Sequence, residues 1–158
     1  MSQNFQPPAP SSYTEAPAPA PARGGNIGLG LVLAVLAAVV TAAAYGGIIG
    51  ATEHQIGYAA VGVGFLIGLA AGRFGGANPV LPVLSGLLAL GAVYAGEIFG
   101  TALLISKAAG DKATLSEIVF DHFSLVQEAW TEELGPLTIL FFALGAYAAF
   151  QTARKTAA

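Results

Sequence analysis

The chain contains no cysteine, which excludes disulfides, thiolate nucleophiles and thiolate metal sites. Charge is nearly as scarce. Only 9% of its 158 residues are Asp, Glu, Lys or Arg, against about 25% in an ordinary soluble domain, so it lacks the charged surface that keeps a globule in water. The net charge of −3 comes without any basic patch interleaved with aromatics, so no nucleic-acid partner is expected. No serine lies in a G-x-S-x-G turn, which leaves nucleophilic catalysis without support. Gly28-Leu29-Gly30 opens a hydrophobic run instead of following a strand, so it is not a phosphate loop. Neither an enzyme activity nor a cofactor is expected.

What is abundant is apolar: 55% of residues are hydrophobic and the mean hydropathy is +0.70. A membrane is the natural solvent for such a chain. The wealth of Gly and Ala is frequent in proteins from GC-rich bacterial genomes. Residues 1–25 stand apart, because Pro7, Pro8, Pro10, Pro17, Pro19 and Pro21 alternate with Ala and Ser and offer little to bury. This segment reads as a disordered, extended cytoplasmic tail. It does not read as a signal peptide, since no basic residue precedes Arg23 and the apolar run behind it is too long for an h-region.

The rest, 26–155, is expected to be an all-α bundle of four transmembrane helices over about 27–50, 56–72, 80–106 and 134–152. Arg73 is expected to stop the second span, with a Gly75–Pro79 turn behind it. Pro82 falls in the first turn of the third span and Pro136 at the start of the fourth, where a missing N–H costs little. Residues 114–132 differ in kind. Thr114 and Glu117 fit a capping box, and Leu115, Ile118, Val119, Phe123, Val126 and Trp130 recur at helical spacing among charged residues. One amphipathic helix is expected there, lying on the membrane surface or on the bundle.

Orientation follows from the basic residues. Arg23, Arg73, Arg154 and Lys155 share one side, opposite Lys107 and Lys112, which makes the first side cytoplasmic and places both termini there. Tyr58 and Trp130 then belong to the outer interface, and the location expected is the bacterial plasma membrane.

Two features carry weight inside the spans. Gly64, Gly68 and Gly72 recur every four residues in the second span, extended by Gly57 and Ala60, and Ala92, Gly96 and Gly100 do so in the third. Residues four apart share a helix face, so each stripe is a groove that another backbone can enter. The groove is filled by a helix of the same chain or of a second copy in a homo-oligomer, or it lines a pore. The protein partners expected for the chain are a second copy or another membrane protein. Glu97 is the ionisable residue deepest in a span, about nine residues or roughly 13 Å from the outer end of the third. A charge at that depth costs about 2.5–3.5 kcal/mol, so the carboxyl should be neutral, paired or facing water. Thr41 and Tyr45 reach comparable depth, with Tyr94 one turn away. The site is read either as a hydrogen-bonded carboxyl that sets helix register or as a station on a proton or cation path. Glu53-His54 and Asp121-His122 pair acid with imidazole on the outer side but lack close ligand spacing, so no metal is expected.

The second span with its Arg73 and Gly-rich turn, the single acid in the third, the amphipathic segment, and a last span ending in Ala146-Tyr147 and basic residues form a familiar pattern. Over about 27–155 the chain resembles a loose group of uncharacterised bacterial four-helix membrane proteins with a variable N-terminal segment. The resemblance implies a fold and a location and supplies no activity. Some members carry an N-terminal zinc ribbon, a role that a chain without cysteine does not share.

Overall fold

A long uncharged run in apolar surroundings must satisfy its backbone groups internally, and a helix does so residue by residue. The computed structural model describes residues 24–157, so the expected tail lies outside the described residues except for Gly24 and Gly25. The elements are α1 (Ile27–Thr52), α2 (Ala59–Gly75), α3 (Val80–Ala109), a 3₁₀ turn (Gly110–Lys112), α4 (Leu115–Phe120), α5 (Phe123–Glu132) and α6 (Pro136–Thr156). No strand occurs among the described residues. Three helices, α1, α3 and α6, are long and apolar enough to cross a membrane, while α2 is a shorter apolar helix.

Local chemistry sets the ends. Asn26 caps α1 by accepting from the Leu29 amide at 3.3 Å, and Glu53 closes it in a left-handed conformation at φ 56°. The second span starts later than expected, because Ile56–Tyr58 form a turn before Ala59. Arg73 does not stop it: the helix runs on to Gly75, and Gly76 at φ 72° makes the break that a side chain would resist.

Helices α1, α2, α3 and α6 stack as a rhombus. α2 and α3 touch across its short diagonal, and α1 and α6 occupy the far corners without contact. The closest approaches join parallel helices that are not neighbours in sequence. A β-carbon on Gly64, Gly68 or Gly72 would overlap backbone oxygens of Gly145, Ala149 or Ala153 of α6. On the other side, Gly96 faces Tyr45 and Ala42, Gly100 packs on Ile49, and buried Ala92 continues that stripe. Both stripes are therefore filled by helices of the same chain.

Helix lengths then shape the molecule. At about 1.5 Å per residue, α1, α2, α3 and α6 measure roughly 39, 25, 45 and 31 Å. They are flush at one end, where Gly30 meets Gly75, Gly75 meets Leu81 and Gly72 meets Thr156. The difference accumulates at the other end, where α1 and α3 project beyond the starts of α2 and α6. Ala102 on the projecting part of α3 forms a second small core with Ile118 of α4 and Val126 of α5, flanked by Ile98, Ile105, Leu115 and Val119.

The single amphipathic helix expected over 114–132 is broken in two. The Asp121 and His122 amides both turn back to the Glu117 carbonyl, at 2.8 and 3.2 Å, and His122 leaves helical geometry at φ −122°, ψ 30°. The chain bends there to keep both pieces on α3. Phe120 and Phe123 at the bend are consequently exposed, as is Leu125. The capping box is formed: Glu117 Oε2 accepts from the Thr114 amide at 2.8 Å, and the Thr114 hydroxyl accepts from the Glu117 amide at 3.4 Å.

Two outcomes follow. Gly64→Leu forces α2 off α6 and is expected to lower stability in detergent by about 1–3 kcal/mol or more, measured by thermal unfolding, whereas the same change at Gly62, which has nothing near its β-position, leaves it within about 0.5 kcal/mol. The hydrogen bonds from the Thr114 amide and then its hydroxyl hold the Glu117 carboxyl below the usual carboxylate range. The stabilisation this gives α4 is complete above that range and is lost as pH falls through the lowered folded value. Amide exchange in α4 should accelerate across that acid window in the wild type and not in Glu117→Gln, whose amide keeps the cap at every pH.

Candidate functional site

Glu97 is 3% exposed, and a carboxyl so enclosed needs partners for both oxygens. It has them. Oε1 accepts from the Tyr45 hydroxyl of α1 at 3.3 Å, and Oε2 accepts from the Trp130 indole N–H of α5 at 2.7 Å. One side chain of α3 thus ties together a long helix and the short helix packed on the ledge. The register comes from the close seam with α1: Gly96 lies against the Tyr45 ring, with its β-position 2.8 Å from Cδ1, so the next residue on α3 meets the tyrosine hydroxyl.

Aromatic packing fixes the indole. The Tyr94 ring meets it edge-on at 5.0 Å between centroids and 85° between planes, and Phe142 of α6 lies at 6.5 Å. The Tyr94 hydroxyl donates to Gln127 Oε1 at 2.7 Å, a second bond from α3 to α5. A T-shaped pair with both polar tips satisfied contributes about 0.5–1.5 kcal/mol beyond its buried area.

A small cavity of about 90 Å³ opens beside the carboxyl, lined also by Gln55, Gly57, Leu137, Thr138 and Phe141. Its walls show where Glu97 stands. The connection before α2 and the first turns of α6 are level with it, and about 18 Å of α3 continues past it to Ala109. Glu97 therefore lies at the foot of the ledge, level with the ends of the shorter helices. The depth of about 13 Å expected from the third span alone holds for α3 and not for the bundle, because α3 outreaches α2 and α6. Gln55 also donates to Glu133, joining the α1–α2 connection to the residue after α5.

The residues expected near Glu97 divide. Tyr45 binds it. Thr41, one turn away, instead donates to carbonyls of its own helix, Ala37 at 2.6 Å and Ala38 at 3.2 Å. Tyr94 contacts the cluster through Trp130 and Gln127. Trp130, expected at the membrane interface, turns inward as the second partner, while Tyr58 is 73% exposed. The signal for Trp130 was present in its place on the apolar face of α5 and its obligate N–H donor. Of the outer acid–imidazole pairs, Glu53 bridges to Lys107 at 3.7 Å and the His54 ring contacts the Thr52 carbonyl at 2.7 Å. Among the described residues no three His, Asp or Glu side chains converge as metal ligands.

The chemistry separates two substitutions. Trp130→Phe keeps the ring and removes the donor, and is expected to cost about 1–3 kcal/mol, measured by thermal unfolding in detergent. Glu97→Gln should cost less, because its oxygen can face the indole N–H while its amide donates to Tyr45, whose hydroxyl can reverse role. Emission from Trp130, the chain's one tryptophan, would then stay unshifted. A Trp130→Phe variant as stable as the wild type would mean that the indole–carboxyl bond contributes nothing.

No family model, curated protein or solved structure matches this chain, so the chemistry of the Glu97 cluster rests on its own geometry.

Proposed function

We propose that the chain is an integral protein of the bacterial plasma membrane that spans it four times, with both termini cytoplasmic, and serves as a structural or assembly component and not as an enzyme. Support for four spans comes from α2, which is uncharged up to Arg73 and packed among three longer apolar helices. The observation that carries the functional reading is the use of Glu97. Both of its oxygens are engaged in joining α1, α3 and α5, and its nearest buried polar neighbour along α1, Thr41, is bonded to its own helix. A carboxyl spent on such a clamp, with no polar chain continuing along α1, suits a fixed scaffold. The bend between α4 and α5 exposes Phe120 and Phe123, an apolar feature that suits contact with another membrane protein or a second copy.

The cavity beside Glu97 supports a second reading, a small channel or a proton- or cation-coupled transporter. Two measurements separate them. The scaffold reading expects no proton or cation flux in liposomes under an imposed gradient at any pH, and discrete larger species after crosslinking in cells. Flux in the wild type that is abolished by Glu97→Gln while the fold persists would establish the transport reading instead. A protein that stays monomeric and uncrosslinked removes the assembly role.

A further inference from the structure

Among the described residues, the charged side chains at the flush end of the bundle, opposite the ledge, are all basic. Arg73 near the end of α2 and Arg154 and Lys155 near the end of α6 are exposed there. The described acids Glu53, Glu97, Glu117, Asp121, Glu128, Glu132 and Glu133 all belong to the opposite half. Arg73 makes no ion pair among the described residues. Arg154 instead rests over the Phe150 ring, 5.5 Å from its centroid.

Beside Arg73 the surface opens into a cavity of about 380 Å³ between the start of α1 and the ends of α2 and α6. Its frame is closely packed. The Asn26 amide donates to the Phe74 carbonyl at 3.1 Å, and a β-carbon on Gly25 or Gly72 would overlap Gly76 or Thr156. The lining has two characters: Arg73 and Asn26 are polar, while Leu29 and Phe74 are apolar and half-exposed at 48% and 45%. A ligand fitting both parts needs an anionic head and an apolar body. Zwitterionic heads bring a cation toward Arg73, and a free anion leaves the apolar wall uncovered.

We propose that this cavity binds the phosphodiester headgroup of an anionic phospholipid, with Arg73 as its charge partner and the acyl chains running over Leu29 and Phe74. The proposal rests on the membrane-spanning reading above. Such a site would hold the flush end of the bundle at the anionic leaflet.

The test uses the full chain in detergent, examined by native mass spectrometry with phosphatidylglycerol, phosphatidylcholine or inorganic phosphate added. Wild-type protein should retain phosphatidylglycerol through delipidation. Arg73→Gln should weaken that retention about fivefold to tenfold, while Arg73→Lys and Lys155→Gln keep most of it. Undiminished retention in Arg73→Gln, or equal retention of phosphatidylcholine, overturns the site. Retention of inorganic phosphate alone overturns the lipid assignment in favour of a soluble anion. Flotation with liposomes after an alkaline wash separates the two levels. Protein that fails to float with any lipid removes the spanning reading itself, whereas protein that floats with every lipid but shows no preferential phosphatidylglycerol retention in the mass spectrometer removes only this site.

Discussion

The bundle depends on two backbone seams, α2 on α6 and α1 on α3. Between apolar helices in an apolar solvent, burial supplies little drive, and close van der Waals contact has to supply the cohesion. Small residues permit that contact. Gly64, Gly68 and Gly72 bring α2 onto Gly145, Ala149 and Ala153 so closely that no β-carbon fits at the three glycines. Gly96 and Gly100 do the same for α3 on α1. Because the seams join parallel helices, the intervening antiparallel contacts follow as the sides and short diagonal of the rhombus.

Once the seams align the helices at one end, unequal lengths must appear at the other. Of the four, α2 is shortest with 17 residues and α3 longest with 30, and the step between them would leave the apolar flank of α3 exposed beyond its neighbours. The short helices α4 and α5 cover it, and the bend at Asp121-His122 lets both reach α3. Glu97 stands where this cover begins. Its two hydrogen bonds offset desolvation and link the ledge to the bundle through donors from different elements.

The two ends thereby acquire different chemistry. The stepped end carries the acids, the aromatic cluster and a small cavity beside Glu97, whereas the flush end carries Arg154, Lys155 and an amphipathic cleft lined by Arg73. Charge segregation of this kind gives a bundle a direction along its axis, which apolar packing alone does not.

Much of this was legible before any fold. Helix content, the approximate bounds of the apolar helices and the capping box at Thr114–Glu117 follow from local signals, since hydrophobic run length, glycine spacing and cap chemistry act over a few residues. The special standing of Glu97 was equally plain, because one carboxyl among apolar neighbours is an energetic exception. Tertiary structure decided which partners it took. Tyr45 and Thr41 were equal candidates by depth, and the Gly96–Tyr45 seam chose between them by rotation about the helix axis. Trp130 was 33 residues away in sequence and reached the carboxyl only because α5 folds back along α3. Likewise, the level of Glu97 depended on how far α1 and α3 outrun α2 and α6. Sequence by itself determined which segments are helical and apolar, because those properties are local. Registration, helix partners and the break in the amphipathic segment were left to tertiary structure, because they arise from contacts between residues that the chain keeps far apart.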